Sequence, residues 1–412
     1  MTVKKGCWVL VVVLIGVALI WTACQDKKGA SATVPMTLDH NRLIIEAEMQ
    51  RADGSWRQVR LWIDTGNPDF MMSEPLARDL GVDLTAADTA GSPVPAIEVP
   101  APGGVRIEGM PLDFQGVGSM VFFGPIPLFG TMHVDANLPS TVLKKYQIVF
   151  DYPALKLTVA APGTLPHRGE RAPAAIHPQT GIVQLDAVID GEAFSFALDN
   201  GASYSFTSGD IMARLAQGHA DWPRTAMALG CANIWGYWPQ EPDWPAIRVP
   251  EIQWGPVRLL DVGLVGLPNF FAGGLSLGDW YSQKTARRVD GFLGPNAFKP
   301  FRIEIDYADS AVYFEPGASF DSHDMDLVGL ALRLESDGTY TVIGVAQRDG
   351  QPAVAGVQPG DRLVKVDDFA VTGVTMGAAI DALRGKPGDR RTLLLERDGR
   401  EIRIDAEVHR FL

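Results

Sequence analysis

Two short segments of this 412-residue chain carry acids whose chemistry needs a partner. Asp64-Thr65-Gly66 closes the apolar stretch LWI, and Asp199-Asn200-Gly201 closes FAL. Two carboxyls held close enough to share one proton cannot both ionise, so one serves as base toward a water while the other serves as acid toward a departing group. Such a pair titrates as a unit with two macroscopic pKa values. Glycine after each acid permits the tight backbone loop that aims the carboxylate.

Other reactive side chains do not gather into a pattern. The seven His residues show no ligand spacing, and the three Cys residues form neither a disulfide framework nor a paired zinc motif. No metal and no cofactor is implied. Cys231 reads as a lone structural thiol. Gly274-Leu-Ser-Leu-Gly278 has the letters of a nucleophile elbow but lies in a β-rich context without the strand, turn and helix that chemistry requires. The close acids Asp324 with Asp326, and Asp367 with Asp368, read as solvated loop charges.

The elements that must position the two acids repeat. RQVRLWIDTGNPDFMMS from Arg57 corresponds to EAFSFALDNGASYSFTS from Glu192, an offset of 135 residues. Each copy is a strand into Asp-x-Gly, a second short strand, and a Ser placed to cap a helix, SEPLARDLG from Ser73 and SGDIMARLAQG from Ser208. PAIEVP from Pro95 is echoed by PAIRVP from Pro245, and KYQIVFDY from Lys145 by PFRIEIDY from Pro300, the last at an offset of 155. Two copies, rich in Val, Ile, Leu and Phe with Gly and Pro turns, predict two similar β lobes rather than a solenoid.

The duplicated Asp-x-Gly units, with Asp290-Gly-Phe-Leu-Gly294 and the following FRIEIDY, resemble the retropepsin-like and pepsin-like aspartic peptidases, nearest to a bacterial branch with a C-terminal PDZ domain. The resemblance covers roughly residues 40 to 320. It implies Asp64 and Asp199 as the catalytic pair, with Thr65, Gly66, Asn200 and Gly201 as dyad support. In the family a Thr or Ser hydroxyl at the middle position bonds across to the opposite loop; here Asn200 replaces one of them with an amide, which both donates and accepts. Asn67 and Pro68 stand where small residues are usual. Asp135-Ala-Asn-Leu-Pro139 is a degraded counterpart of Asp290 to Gly294.

By the same resemblance the cleft lies between the lobes, under a flap tipped by Thr89, Ala90, Gly91 and Ser92. In the second lobe the lengthened stretch from Ala228 carries Trp235, Tyr237 and Trp238, which either line the cleft or pack the insertion onto its own lobe. The last ninety residues are similar to a PDZ domain, most specifically in AGVQPGDRL from Ala355. That implies a backbone loop at Gly329, Leu330, Ala331 and Leu332 receiving the carboxylate of a protein C-terminus, with the peptide adding a strand.

The fold expected is therefore mainly β: residues 1–30 an export segment, 31–165 and 166–320 two homologous acid-protease-like lobes, and 321–412 a PDZ domain. Lys4 and Lys5 precede an apolar run to Ala23, an export signal or anchor. Cys24 after Thr22-Ala23 resembles a lipobox, which implies lipidation at Cys24 and a periplasm-facing, membrane-tethered protein of the cell envelope. A net charge of −13, without a basic cluster, argues against nucleic acid as partner. The expected function is an aspartic endopeptidase acting on polypeptide. The alternative is an inactive peptide-binding scaffold of the envelope, motivated by Asn200.

Overall fold

In the computed structural model the described residues are 31–84, 96–99, 102–122, 127–225, 241–269, 276–348 and 350–412. The chain is mainly β, and its described strands fall into several sheets. Within the first repeat, strand Trp56–Asp64 lies between antiparallel Arg42–Gln50 and parallel Ala136–Pro139, with Leu138 opposite Ile63. Within the second, Glu192–Leu198 lies between antiparallel Val183–Ile189 and parallel Gly291–Leu293, with Leu293 opposite Leu198. Both acids thus leave the end of a central, fully flanked strand. The apolar residues before them, Leu61, Ile63 and Leu198, are completely buried.

The correspondence between copies extends to single hydrogen bonds. Asp135 accepts from the Arg60 amide, and Asp290 from the Ser195 amide, each at 2.8 Å. Ser73 and Ser208 donate their amides to the carbonyls of Asp135 and Asp290. Their hydroxyls cap helices Glu74–Asp79 and Gly209–Gly218 by accepting from Leu76 and Ile211, as the capping pattern predicts. The degraded stretch Asp135 to Pro139 therefore keeps the place of its counterpart, because the acid and the strand pairing are enough to hold it.

A third, six-stranded antiparallel sheet joins the copies. Its order is Ser31–Pro35, Lys156–Ala160, Gln147–Asp151, Phe301–Asp306, Ala311–Pro316, Glu170–Pro173. At its centre Val149 faces Glu304, its own counterpart at the 155-residue offset. A local two-fold axis thus passes between them, as sequential pairing of two equivalent hairpins requires. Trp254, Phe298 and Phe314 pack in ring contact beneath this sheet, Trp254 wholly buried.

The C-terminal residues form a further sheet, in order Leu330–Leu334, Tyr340–Val345, Arg362–Val366, Arg390–Arg397, Arg400–Glu407, with helix Met376–Leu383. This unit shares one apolar cluster with the second lobe: Phe206, Val265 and Phe292 are continuous with Met325, Leu327 and Leu330. The reading of Asp324 and Asp326 as solvated charges is corrected here. Both are buried; Asp324 receives a 2.8 Å bond from Arg248, itself buried, and Asp326 pairs with His323. Packing of the C-terminal unit on the second lobe removes these acids from water, and burial raises the Asp324 pKa against the pull of Arg248.

Candidate active site between two lobes

Asp64 and Asp199, brought from strands 135 residues apart, meet where the two lobes face each other, and both are almost fully buried. The two glycines explain how closely. A Cβ built on Gly66 would lie 2.5 Å from Asp199 Cγ, and one on Gly201 would lie 2.6 Å from Asp64 Cγ. Each carboxylate therefore occupies the space that a side chain on the opposite loop would need, and only glycine leaves it open.

Burial raises the pKa of Asp64 well above the usual carboxylate range, and the neighbouring Asp199 charge raises it further. Burial also raises Asp199, to about 6, against bonds from the Gly201 and Ala202 amides and the charge of Arg42. The environments differ in kind. Asp199 Oδ1 accepts from Gly201 N at 2.8 Å and Ala202 N at 3.3 Å, whereas Asp64 is steadied by the Asn137 and Asn67 side chains and the Gly66 amide. Burial raises both carboxyls and the charge of each opposes ionisation of the other, so the two titrate as one unit.

The middle residues brace this arrangement asymmetrically. Thr65, fully buried, donates its hydroxyl to Leu198 O at 2.9 Å and accepts from Asn200 N at 3.0 Å, tying the first loop to the second. Asn200 does not return the bond. Its Oδ1 accepts from the Tyr152 hydroxyl at 2.7 Å, and its Nδ2 has no partner among the described residues. An amide, longer than a hydroxyl and bonded along its plane, reaches toward the six-stranded sheet instead of the opposite loop.

Several residues at the site carry no local sequence signal. Asn137 accepts from Met71 N at 2.7 Å and donates to Asp69 O at 3.0 Å, fixing the loop after Asp64. Arg42, fully buried, donates Nε to Gly201 O at 2.9 Å. The Tyr281 phenol is kept protonated by burial and then by the charges of Asp199 and Asp64. The position of Asn137 inside the repeat element Asp135 to Pro139 was the one usable clue.

Of the remaining expected residues, Thr89, Ala90, Gly91, Ser92, Trp235, Tyr237, Trp238 and Cys24 lie outside the described residues. Gly329 is in the left-handed region at φ 85°, the ring of Phe411 lies against it, and Leu330, Ala331 and Leu332 are buried, with a register shift between Ala331 and Leu332. Ser276, the centre of the elbow-like pattern, is a helix cap: its hydroxyl accepts from Asp279 N at 3.2 Å. No group of three or more His, Cys, Asp or Glu is gathered in metal-binding fashion among the described residues, and no helix there is long and apolar enough to cross a membrane.

No protein-family model matches the chain. It is 33% identical over 85 residues to a putative zinc metalloprotease of Mesorhizobium japonicum, which is 20% of this chain and 23% of that protein. It is 26% identical over 98 residues to a probable CtpA-like serine protease of Staphylococcus saprophyticus, 24% of this chain and 20% of that protein. The chain thus spans under a quarter of the length of these curated relatives. Among solved structures, the aspartic proteinase from Irpex lacteus aligns with 72% of this chain and 100% of its own, at 12% identity and a TM-score of 0.40.

Proposed function

We propose that the protein is an aspartic-type endopeptidase that hydrolyses extended polypeptide in the cleft between its lobes. The observation that carries this reading is the meeting of Asp64 and Asp199 across two glycines that leave room for nothing else, with both acids shifted upward by burial. In the reaction Asp199, ionised, takes a proton from a water as its oxygen attacks the peptide carbonyl carbon, while Asp64 donates its proton to the carbonyl oxygen. Collapse of the tetrahedral species breaks the C–N bond; the proton gained by Asp199 passes to the leaving amine, and one hydroxyl of the species returns its proton to Asp64 as the carboxyl C=O forms. The protease names of the two curated relatives favour peptide-bond hydrolysis as the reaction class, although those proteins are named for other catalytic types.

The C-terminal unit is proposed as a PDZ domain receiving protein C-termini at Gly329 to Leu332, where an entering peptide displaces Phe411. The N-terminal segment with Cys24 is proposed as the envelope tether. A second reading, peptide binding without hydrolysis, is favoured by one observation, the unpartnered amide nitrogen of Asn200 beside the pair. Digestion of an unfolded polypeptide by the full chain, run beside Asp64→Asn and Asp199→Asn, separates the two. Cleavage lost in both variants supports the enzyme; undiminished cleavage in either removes the dyad mechanism, and no cleavage by the unaltered chain, with retained peptide binding, supports the scaffold.

A further inference from the structure

The hairpin turn between strands Thr37–Asp39 and Arg42–Gln50 touches both the C-terminal unit and the loop that carries Asp199. Its two central residues, His40 and Asn41, are left-handed at φ 45° and 67°, the geometry of a tight two-residue turn. On one side, Asp39 Oδ1 accepts from the Thr375 hydroxyl and from Gly377 N at 3.0 Å, at the start of helix Met376–Leu383. The approach is so close that a Cβ on Gly377 would fall 2.6 Å from His40 N. On the other side, Asn41 Nδ2 donates to Ser203 O at 2.8 Å and Arg42 Nε to Gly201 O at 2.9 Å. Lys299 Nζ fixes the Asn41 amide from behind, at 2.8 Å, and His40 lies edge-on to Tyr204. The carbonyls that the turn holds follow Asp199 by two and four residues, in the same loop whose Gly201 amide bonds its carboxylate.

Resting on the dyad reading above, we propose that this turn is a positioning strap: seating of the C-terminal unit on Asp39 holds Arg42 and Asn41 against the Gly201–Ser203 backbone and so sets the orientation of the Asp199 carboxylate. Asp39, Asn41 and Arg42 act through that loop and not on substrate. The C-terminal unit is then part of the site's scaffold as well as an appendage, and anything that lifts its helix from the turn reaches the dyad through two hydrogen-bonded steps. The bonds are short, partly buried or buried, and made by a stiff turn, so displacement on one side is passed to the other rather than absorbed.

The charged and titratable groups around this path are known by position. Asp199 is faced by Asp64, Arg42, Tyr152 and Tyr281, Asp39 by Arg42 and Asp381, and His40 by Arg42, Arg384 and Lys299. Loosening Arg42 withdraws a positive charge from Asp199, so its carboxyl must titrate at higher pH.

The test uses the full chain with carbon-13-labelled aspartate. The Asp199 carboxyl is titrated by NMR, and peptide hydrolysis is followed in parallel, for Asp39→Ala, Gly377→Ala, Thr375→Val and Asp39→Asn. Asp39→Ala, Gly377→Ala and Thr375→Val are expected to move the Asp199 midpoint upward and to lower kcat, about tenfold for the first two, with KM little changed. Asp39→Asn retains an acceptor oxygen and is expected to restore both. Thr375→Val removes the bond to Asp39 together with the cap on Ala378 N, leaves the Asp39 carboxylate and its turn unaltered, and keeps the test open if another variant fails to fold. An unshifted Asp199 midpoint in folded Asp39→Ala or Thr375→Val overturns the strap, whatever happens to thermal stability. Absence of hydrolysis in the unaltered chain would instead defeat the peptidase reading, and the titration would still decide the strap.

Discussion

Tyr152 donates its hydroxyl to Asn200 Oδ1 at 2.7 Å, while its counterpart in the second repeat, Tyr307, has a buried hydroxyl with no partner among the described residues. The two tyrosines hold equivalent positions at the 155-residue offset but meet different residues. Tyr152 finds the amide of Asn200, whereas Thr65, which stands in the first repeat where Asn200 stands in the second, spends its hydroxyl across the lobe interface. Tyr152→Phe is expected to cost about 1–3 kcal/mol, because it strands the Asn200 amide in a buried place. Tyr307→Phe removes an unsatisfied hydroxyl and is expected to be neutral or stabilising. Urea unfolding of the two variants side by side checks this; equal losses would contradict the asymmetry.

Thr65 makes two bonds with one hydroxyl, donating to Leu198 O and accepting from Asn200 N. Thr65→Val keeps the shape and removes both, which is expected to destabilise by about 2–3 kcal/mol and to lower kcat. Thr65→Ser keeps the oxygen and should retain most of the activity. Matching kinetics for the two variants would mean that the shape of the residue, and not its hydroxyl, braces the loops.

Substitution at Gly201 tests the close approach of the lobes. The methyl of Gly201→Ala would lie 2.6 Å from Asp64 Cγ, so the Asp64 carboxyl must turn away. A misplacement of this order at a reacting group typically costs about a hundredfold in rate. The expected result is a loss of that size in kcat/KM with far-ultraviolet circular dichroism unchanged; full activity would show that the two loops separate freely.

The upward shift of Asp199 has a consequence for stability. Folding favours the protonated carboxyl, so the contribution is fully present below the ordinary carboxylate pKa near 4 and is lost as pH rises through about 6. Asp199→Asn cannot ionise. Its unfolding free energy, from urea melts, is therefore expected to gain on that of the unaltered chain between pH 4 and pH 7, by an amount on the order of 1–3 kcal/mol. A difference that stays flat across that interval would show that the acid is not perturbed by burial.

The duplication and the meeting of Asp64 with Asp199 were legible because duplication leaves a record in spacing. The offset of 135 residues aligned Asp64 with Asp199, and the offset of 155 aligned the strands that later proved to pair about Val149 and Glu304. Ser73 and Ser208 revealed themselves as caps by position alone. Arg42, Tyr152 and Tyr281 did not, since each reaches the site from another part of the fold and none belongs to a local period. Asp324 and Asp326 misled for a related reason: adjacent acids in a polar stretch look solvated until a separate unit packs over them.

The six-stranded sheet interleaves early and late parts of the chain, with Ser31–Pro35 at one edge, Gln147–Asp151 against Phe301–Asp306 at the centre, and Glu170–Pro173 at the other edge. A ribosome delivers these strands in order, and loop closure over so many residues is slow. The first half of the molecule therefore waits with the edge of Gln147–Asp151 unpaired, exposed to other chains, until the second half has been made. Nascent copies carry that adhesive edge until Phe301–Asp306 has been delivered, so the strand that schedules assembly is also the one most open to mispairing.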